Sequence, residues 1–284
     1  MKYVFIGGGA MATALISGIV RSGKGAADIK VVDPDETQRN RLAAAFPQVL
    51  CYPCPESALF EGVDIVVLAV KPQQLQAVAR QLAPFTPTIP AVLSIAAGVR
   101  VKDISRWLGD YPTIIRAMPN TPAQVNSGTT GIYAAPGANE IARSRAHELL
   151  SSVGHAFWVV YEETLDMVTA VSGSGPAYVL YFLESLEAAA LSMGITEEIS
   201  RAAALDVLSD GLALVRQDNT PFAELRAKVT SKGGTTEKAI QILEQAKVGK
   251  AFQEAIQAAR KRAAELGDEL SVDHPEDSPT HGAG

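Results

Sequence analysis

Gly7-Gly8-Gly9-Ala10-Met11-Ala12 follows directly on an apolar run, Tyr3–Ile6, and opens a helical pattern over Met11–Arg21. The spacing is G-x-G-x-x-A. In such a loop the first glycine permits a tight turn and the second lets backbone approach a pyrophosphate. The small sixth residue lets the helix pack close to the strand. The pyrophosphate would rest on the helix N-terminus, where unpaired N–H groups and the helix dipole favour an anion. A strand before, a helix after and an acid ending the next strand distinguish a dinucleotide loop from a bare βα turn. Ile6, Gly7, Gly9, Ala10 and Met11 are therefore expected to touch a cofactor.

The acid is Asp33, which closes the run Ile29–Val32. A carboxylate there can accept hydrogen bonds from an adenosine ribose and would repel a 2′-phosphate, which taken alone favours NADH. Arg39 and Arg41 follow on the next helical pattern, Glu36–Ala45, and either reach a phosphate or lie on a solvated face. The choice between NADPH and NADH stays open on these residues. Ala69, Val70, Lys71 and Pro72 end a further apolar run, Ile65–Val70, at the carboxyl edge where open α/β sheets bind ligands. Lys71 could neutralise an anion there or be a plain loop lysine. Ala96 and Ala97, with Gly98, are small enough for backbone to lie against a dihydronicotinamide ring.

Other chemistries find little support. Two cysteines can neither build a disulfide framework nor fill a four-thiolate zinc site. Cys51-Tyr52-Pro53-Cys54 has C-x-x-C spacing but is placed in a loop between Ile29–Val32 and Ile65–Val70. A thioredoxin-type motif should open a helix in another topology, so two ordinary thiols are expected. His147, His155, His274 and His281 have no metal-ligand spacing, and no metal is expected. With 6% aromatic and 20% charged residues, neither a base-stacking platform nor a basic nucleic-acid surface is expected.

The net charge of −6 is concentrated at one end, because Asp268, Glu269, Asp273, Glu276 and Asp277 face no Lys or Arg in 268–284. Without them 26 acidic side chains stand against 25 basic ones, so the body is nearly neutral and names no partner. That segment, with Pro275 and Pro279, reads as a disordered acidic tail. Lys2 and the apolar stretch to Val20 imitate a signal peptide, but Gly7-Gly8-Gly9 interrupts it after one strand's length. The chain is expected to be cytoplasmic, with no membrane contact.

These residues must be positioned by a larger architecture. At about 150 residues per domain, 284 residues allow two. Short apolar runs (Tyr3–Ile6, Ile29–Val32, Ile65–Val70, Ala91–Ile95, Thr113–Arg116) alternate with helical patterns at Met11–Arg21, Glu36–Ala45, Gln73–Leu82 and Val101–Leu108. Several runs are apolar on both faces, as in parallel strands covered by helices. The alternation predicts an α/β fold, a doubly wound sheet of Rossmann type, finished by Thr130–Ala134, Ile141–Ser151 and Ala156–Val160. After about residue 163 only helices are predicted: Ala177–Met193, a stripe through Leu205, Leu208, Leu212 and Val215, then Phe222–Val229, Glu237–Glu244 and Lys250–Glu265. Ala177–Met193 is apolar almost all round and needs covering, which predicts a homodimer through these helices. The expected division is 1–162 for the dinucleotide domain, 163–267 for a helical dimerisation and substrate domain, and 268–284 for the tail.

A set of segments then carries a resemblance. They are Phe5-Ile6-Gly7-Gly8-Gly9-Ala10-Met11, Ala69-Val70-Lys71-Pro72, Ser94-Ile95-Ala96-Ala97-Gly98 and Arg116-Ala117-Met118-Pro119-Asn120-Thr121-Pro122. Ser172-Gly173-Ser174-Gly175-Pro176-Ala177-Tyr178 and Val229-Thr230-Ser231-Lys232-Gly233-Gly234-Thr235-Thr236 complete them. In this order, from Val4 to about Glu265, the chain resembles the pyrroline-5-carboxylate reductases, which complete proline synthesis. The resemblance implies hydride transfer from NADPH or NADH to the C=N bond of a cyclic imino acid, giving L-proline. It implies dimers assembled into larger rings, with each active site using both chains. It places Asn120 near the nicotinamide, and it has Thr169 offering its hydroxyl to the imine nitrogen from the partner chain.

Ser231, Gly234, Thr235 and Thr236 are expected to take the substrate carboxylate ahead of the Glu237–Glu244 helix, through backbone N–H groups and hydroxyls. Alternatively, Thr235 or Thr236 is a helix N-cap with no ligand, and Thr169 is a buried threonine bonded to a helical carbonyl. Lys232 stands where the family commonly has proline, and many bacterial members lack an acid at the position of Asp33. A β-hydroxyacid dehydrogenase is the nearest rival enzyme. It requires a catalytic lysine in the second domain, whereas no lysine lies between Lys102 and Lys228. A non-catalytic NAD(P)-sensing module is the rival from another class.

Overall fold

The computed structural model describes residues 1–23, 25–217 and 220–271. Its strands are β1 (Tyr3–Ile6), β2 (Ile29–Val32), β3 (Leu50–Tyr52), β4 (Ile65–Leu68), β5 (Val92–Ser94), β6 (Ile114–Met118), β7 (Gly128–Ala134) and β8 (Gly154–Trp158). They form one sheet in the order β3-β2-β1-β4-β5-β6-β7-β8. All neighbours are parallel except β6 and β7. Side chains alternate between the two faces. Tyr3, Phe5, Val31 and Val67 enter one buried cluster and Val4, Ile6, Val66 and Leu68 the other.

The helices covering these faces are α1 (Ala10–Arg21), α2 (Glu36–Ala45), α3 (Pro72–Leu82), α4 (Val101–Trp107) and α5 (Glu140–Ser151). The sequence-predicted elements recur with small shifts at their ends, and the exceptions have physical causes. The strand β3 was not expected. It is three residues at the sheet edge, Leu-Cys-Tyr, too short to show a period. Cys51 therefore lies in a strand, paired with Val31, and not in a loop. The β6–β7 pair is antiparallel because only a short 3₁₀ turn, Thr121–Val125, separates the strands. A parallel return would need a crossover of a dozen or more residues.

Beyond β8 come α6 (Thr164–Val168), a π-helical turn at Thr169–Gly173, α7 (Gly175–Ser192), α8 (Glu197–Gln217), α9 (Phe222–Lys228), α10 (Thr235–Gln245) and α11 (Val248–Leu270). Two compact units result: Met1–Ser174 with residues 259–271, and Gly175–Ala258. The strand-bearing unit thus extends past residue 162, because Leu165 and Val168 are buried and a Cβ at Gly131 would meet both at about 3 Å. The end of α11 also belongs to it. Gly267 approaches so near that a Cβ there would sit 2.8 Å from the Gly98 carbonyl oxygen.

The expected tail from 268 is corrected at its start. Asp268, Glu269 and Leu270 are helical, Leu270 packs against a core cluster, and Glu269 pairs with Arg262 at 2.6 Å. Residues 272–284, with His274 and His281, lie outside the described residues. In the helical unit α7 has no buried residue, and Leu180, Tyr181 and Phe182 are exposed by 64, 72 and 55%. Among the described residues, no helix is long and apolar enough to cross a membrane.

Candidate active site

The register of β1 with β2 and β4 pairs Ile6 with both Val32 and Leu68. Three strands therefore end level, and Gly7, Asp33 and Ala69 leave the sheet side by side. This is the point where the strand order reverses, the usual ligand crevice of an open α/β sheet. Gly7 has φ +98°, and a Cβ on it would lie 2.7 Å from the Ala69 carbonyl oxygen, so no other residue turns here without strain. Gly9 is the N-cap of α1 with no side-chain cap, and a Cβ on it would meet nothing within 4 Å. The start of α1 thus has no side-chain cap, with open space beside the Gly9 backbone. Ala12 is fully buried, which lets α1 lie close to the sheet.

Asp33 is held by backbone. Its Oδ2 accepts from Gly8 N–H at 2.7 Å and its Oδ1 from Asp35 N–H at 2.9 Å. A cavity of about 670 Å³ opens beside it, lined among others by Ile6, Gly7, Asp33, Asp35, Val70 and Gln74. Arg39 does not line it; its Nη1 donates to the carbonyls of Asp33 and Pro34, both at 2.8 Å. Arg41 lines a separate hollow with Ala10 and Thr13. Lys71 is exposed as the N-cap of α3, with Pro72 in the first turn. Met11 is partly buried against the core. Ala96 is itself buried in a core cluster, leaving only its backbone for a ligand, while Ala97 is half-exposed.

Asn120 is spent internally. Its Nδ2 donates to the Ser172 carbonyl at 3.0 Å and its Oδ1 accepts from Thr129 N–H at 2.8 Å. The clasp holds the Thr169–Gly173 turn against the end of β6. In that turn the Thr169 hydroxyl donates to the Leu165 carbonyl at 2.7 Å, the alternative weighed from sequence. Its oxygen lone pairs, not its proton, are what remain for a ligand.

Just ahead of that turn in the chain lies an ionic cluster that sequence reasoning missed. Arg116, 2% exposed, donates to Glu162 at 2.9 Å and lies 3.9 Å from Asp166. Arg100 binds Asp166 through both carboxylate oxygens, at 2.6 and 3.2 Å. Burial lowers the Arg116 pKa, opposed by the Glu162 charge. For Arg100 burial also works against the charge, but the Asp166 bond and the neighbouring carboxylates outweigh it and raise the pKa. A lone charged residue inside the apolar run Ile114-Ile115-Arg116-Ala117 was the available signal.

In the helical unit, Ser231–Thr236 leads into α10. Gly234, not Thr235 or Thr236, is the N-cap, so the capping role considered for those threonines is corrected. Glu237 closes the turn instead by accepting from Gly233 N–H at 2.7 Å. Capping by a backbone-proximal glutamate leaves both threonines exposed in the first turn.

Cys51 is half-buried and burial pushes its thiol pKa up, while Cys54 is exposed. Among the described residues, no group of three or more His, Cys, Asp or Glu is placed to hold a metal.

A sheet whose level strand ends carry a glycine loop, a helix N-terminus facing open space and a fixed acid beside a large cavity defines a dinucleotide-dependent oxidoreductase of Rossmann type. The chain belongs to the pyrroline-5-carboxylate reductase family. Residues 162–266 match the family model for pyrroline-5-carboxylate reductase dimerisation, and residues 2–98 match the model described as NADP oxidoreductase coenzyme F420-dependent. A pyrroline-5-carboxylate reductase of Pseudomonas aeruginosa is 36% identical over 95% of this chain and 98% of its own. A solved pyrroline-5-carboxylate reductase from Coxiella burnetii superposes with TM-score 0.85 at 33% identity, over 93% of this chain and 98% of that one. The Plasmodium falciparum enzyme, solved with NADP bound, gives 0.84 at 26% identity over 94 and 98%.

Proposed function

We infer that this chain reduces the C=N bond of 1-pyrroline-5-carboxylate to L-proline with NADPH or NADH. The observation that carries the reading is the full-length match at 36% identity, with the glycine loop in dinucleotide-binding geometry. The open space at Gly9 and the cavity beside Asp33 fit the cofactor. Ile6, Gly7, Gly9, Ala10, Met11, Asp33, Ala69–Pro72, Ala97 and the backbone of Ala96 would hold it, with Asn120 bracing the neighbouring turn. When bound, its nicotinamide ring supplies a hydride to the imine carbon.

An imine accepts hydride better when its nitrogen is protonated. The Thr169 oxygen, its own proton committed to Leu165, is suited to accept from that N–H and orient the ring. Ser231, Gly234, Thr235 and Thr236 are suited to the carboxylate: N–H groups at the start of α10 and exposed hydroxyls favour an anion. We take 163–267 as the module carrying substrate contacts and self-association, supported by the match of 162–266 to the dimerisation model. A ring of dimers and a cytoplasmic location complete the proposal.

The test is cofactor oxidation by the purified protein with 1-pyrroline-5-carboxylate, and reduction of NAD⁺ and NADP⁺ with 3-hydroxy acids. Imine-dependent oxidation alone is expected. Turnover only with hydroxy acids, or none with either substrate, would remove the reading.

A further inference from the structure

We propose that Asp33 makes this enzyme selective for NADH over NADPH, the selection being set by the two carboxylates, Asp33 and Asp35, that line one cavity with no cation beside them among the described residues. This rests on the reading of that cavity as the seat of the adenosine half of the dinucleotide. Asp33 closes β2, where a ribose-facing acid sits in dinucleotide folds, and it lines the cavity together with Asp35. No lysine or arginine is among the described residues lining the cavity; its polar wall is completed by glutamines such as Gln73, Gln74 and Gln81. A 2′-phosphate carries more than one negative charge at neutral pH and needs donors with positive charge to replace its water. Here it would meet two carboxylates.

The carboxylate of Asp33 cannot readily turn away. Gly8 N–H and Asp35 N–H hold one oxygen each, at 2.7 and 2.9 Å, and the first of these belongs to the phosphate loop itself. Rotating Asp33 aside would leave both N–H groups unpaired. Each oxygen keeps a lone pair with which to accept from a ribose hydroxyl.

Lys71 does not line the cavity, and Arg39, the other candidate for a phosphate clamp, does not line it either. Its Nη1 is tied to the Asp33 and Pro34 carbonyls, so it braces the backbone that presents the acid.

The experiment reads binding without turnover. ADP-ribose and its 2′-phosphorylated form are titrated into the full-length protein by calorimetry, alongside NADH and NADPH. In each pair the unphosphorylated ligand is expected to bind tighter by about tenfold or more, the scale of bringing like charges into near contact at a protein surface. Asp33→Asn, which keeps a hydrogen-bonding side chain without the charge, should shift that ratio toward the phosphorylated ligand by a similar factor. Arg39→Gln should leave the ratio unchanged. Equal or tighter binding of the phosphorylated ligands by the unmodified protein overturns the proposal, even if the Asp33 variant does not fold. A selective loss of NADPH affinity in Arg39→Gln also overturns it. If neither ADP-ribose nor NADH binds, the dinucleotide reading of the cavity fails, and this inference with it.

Discussion

The Asn120 side chain is the clasp of the Ser172 carbonyl, joining the end of β6 to a π-helical turn 52 residues further along the chain. Asn120 is only 7% exposed, so both of its bonds are shielded from water. Asn120→Ala would leave the Ser172 carbonyl and the Thr129 N–H without a partner. The expected cost is about 2–3 kcal/mol of unfolding free energy, measured by denaturant titration. A change within about 0.5 kcal/mol, the ordinary range of surface substitutions, would show that the clasp does not hold the turn.

The two threonine sites separate kinetically. Thr236→Ala should raise KM by a factor on the order of 10 with kcat nearly unchanged, as expected for one lost charge-assisted hydrogen bond to a carboxylate. Thr169→Ala should lower kcat instead, and Thr169→Ser should restore it, because serine can also donate to the Leu165 carbonyl and leave its lone pairs outward. An unchanged KM in folded Thr236→Ala would move the carboxylate elsewhere.

Arg116 is a buried charge whose removal strands its partners. Arg116→Ala should destabilise by about 3–5 kcal/mol, the range for breaking one side of a buried pair. Glu162 then keeps its bond from Val101 N–H, whereas Asp166 retains Arg100. Pairing Arg116→Met with Glu162→Gln should cost less than the sum of the single changes. Additivity in that double-mutant cycle would mean the two side chains are not coupled.

Alkaline pH offers a different probe. Burial raises the hydroxyl pKa of Tyr3 to about 12, as it does for Tyr111. A raised folded-state pKa contributes stability that is fully present below the unfolded value, near 10, and is lost as pH rises toward 12. Each tyrosine should therefore withdraw about 2–3 kcal/mol across that window. Tyr3 Oη is buried and without a hydrogen-bond partner among the described residues, so Tyr3→Phe should blunt the alkaline loss and stabilise slightly at neutral pH. A variant with the same alkaline profile as the parent would place the titration elsewhere.

Self-association should run through α7. Light scattering is expected to give at least a dimer, and Phe182→Glu, on the exposed apolar surface, should shift the mass toward monomer. A mass that stays dimeric in that variant would point to another interface.

The sequence by itself determined what depends on neighbours along the chain. Gly7 at the end of an apolar run, a helix pattern after it and Asp33 closing the next run are local facts, and they marked the phosphate loop and the sheet class. Asp35 capping α2 by accepting from Thr37 N–H is equally local in origin. The exposed apolar surface of α7 was legible too, because an almost wholly apolar helix needs a cover that its own short unit cannot provide.

The tertiary structure alone decided what depends on residues far apart in the chain. Arg116 meets Glu162 across 46 residues and Arg100 meets Asp166 across 66, so no window of sequence shows them as one cluster. Asp268–Leu270 looked like tail by composition, yet the close approach of Gly267 to Gly98 carries the helix through them. The N-cap of α10 fell to Gly234 because Glu237 reaches back to the Gly233 N–H, a competition among neighbouring donors and acceptors that residue types alone leave undecided. Period and turn chemistry are written locally, whereas the pairing of buried polar groups is settled only when the fold removes water from both partners at once.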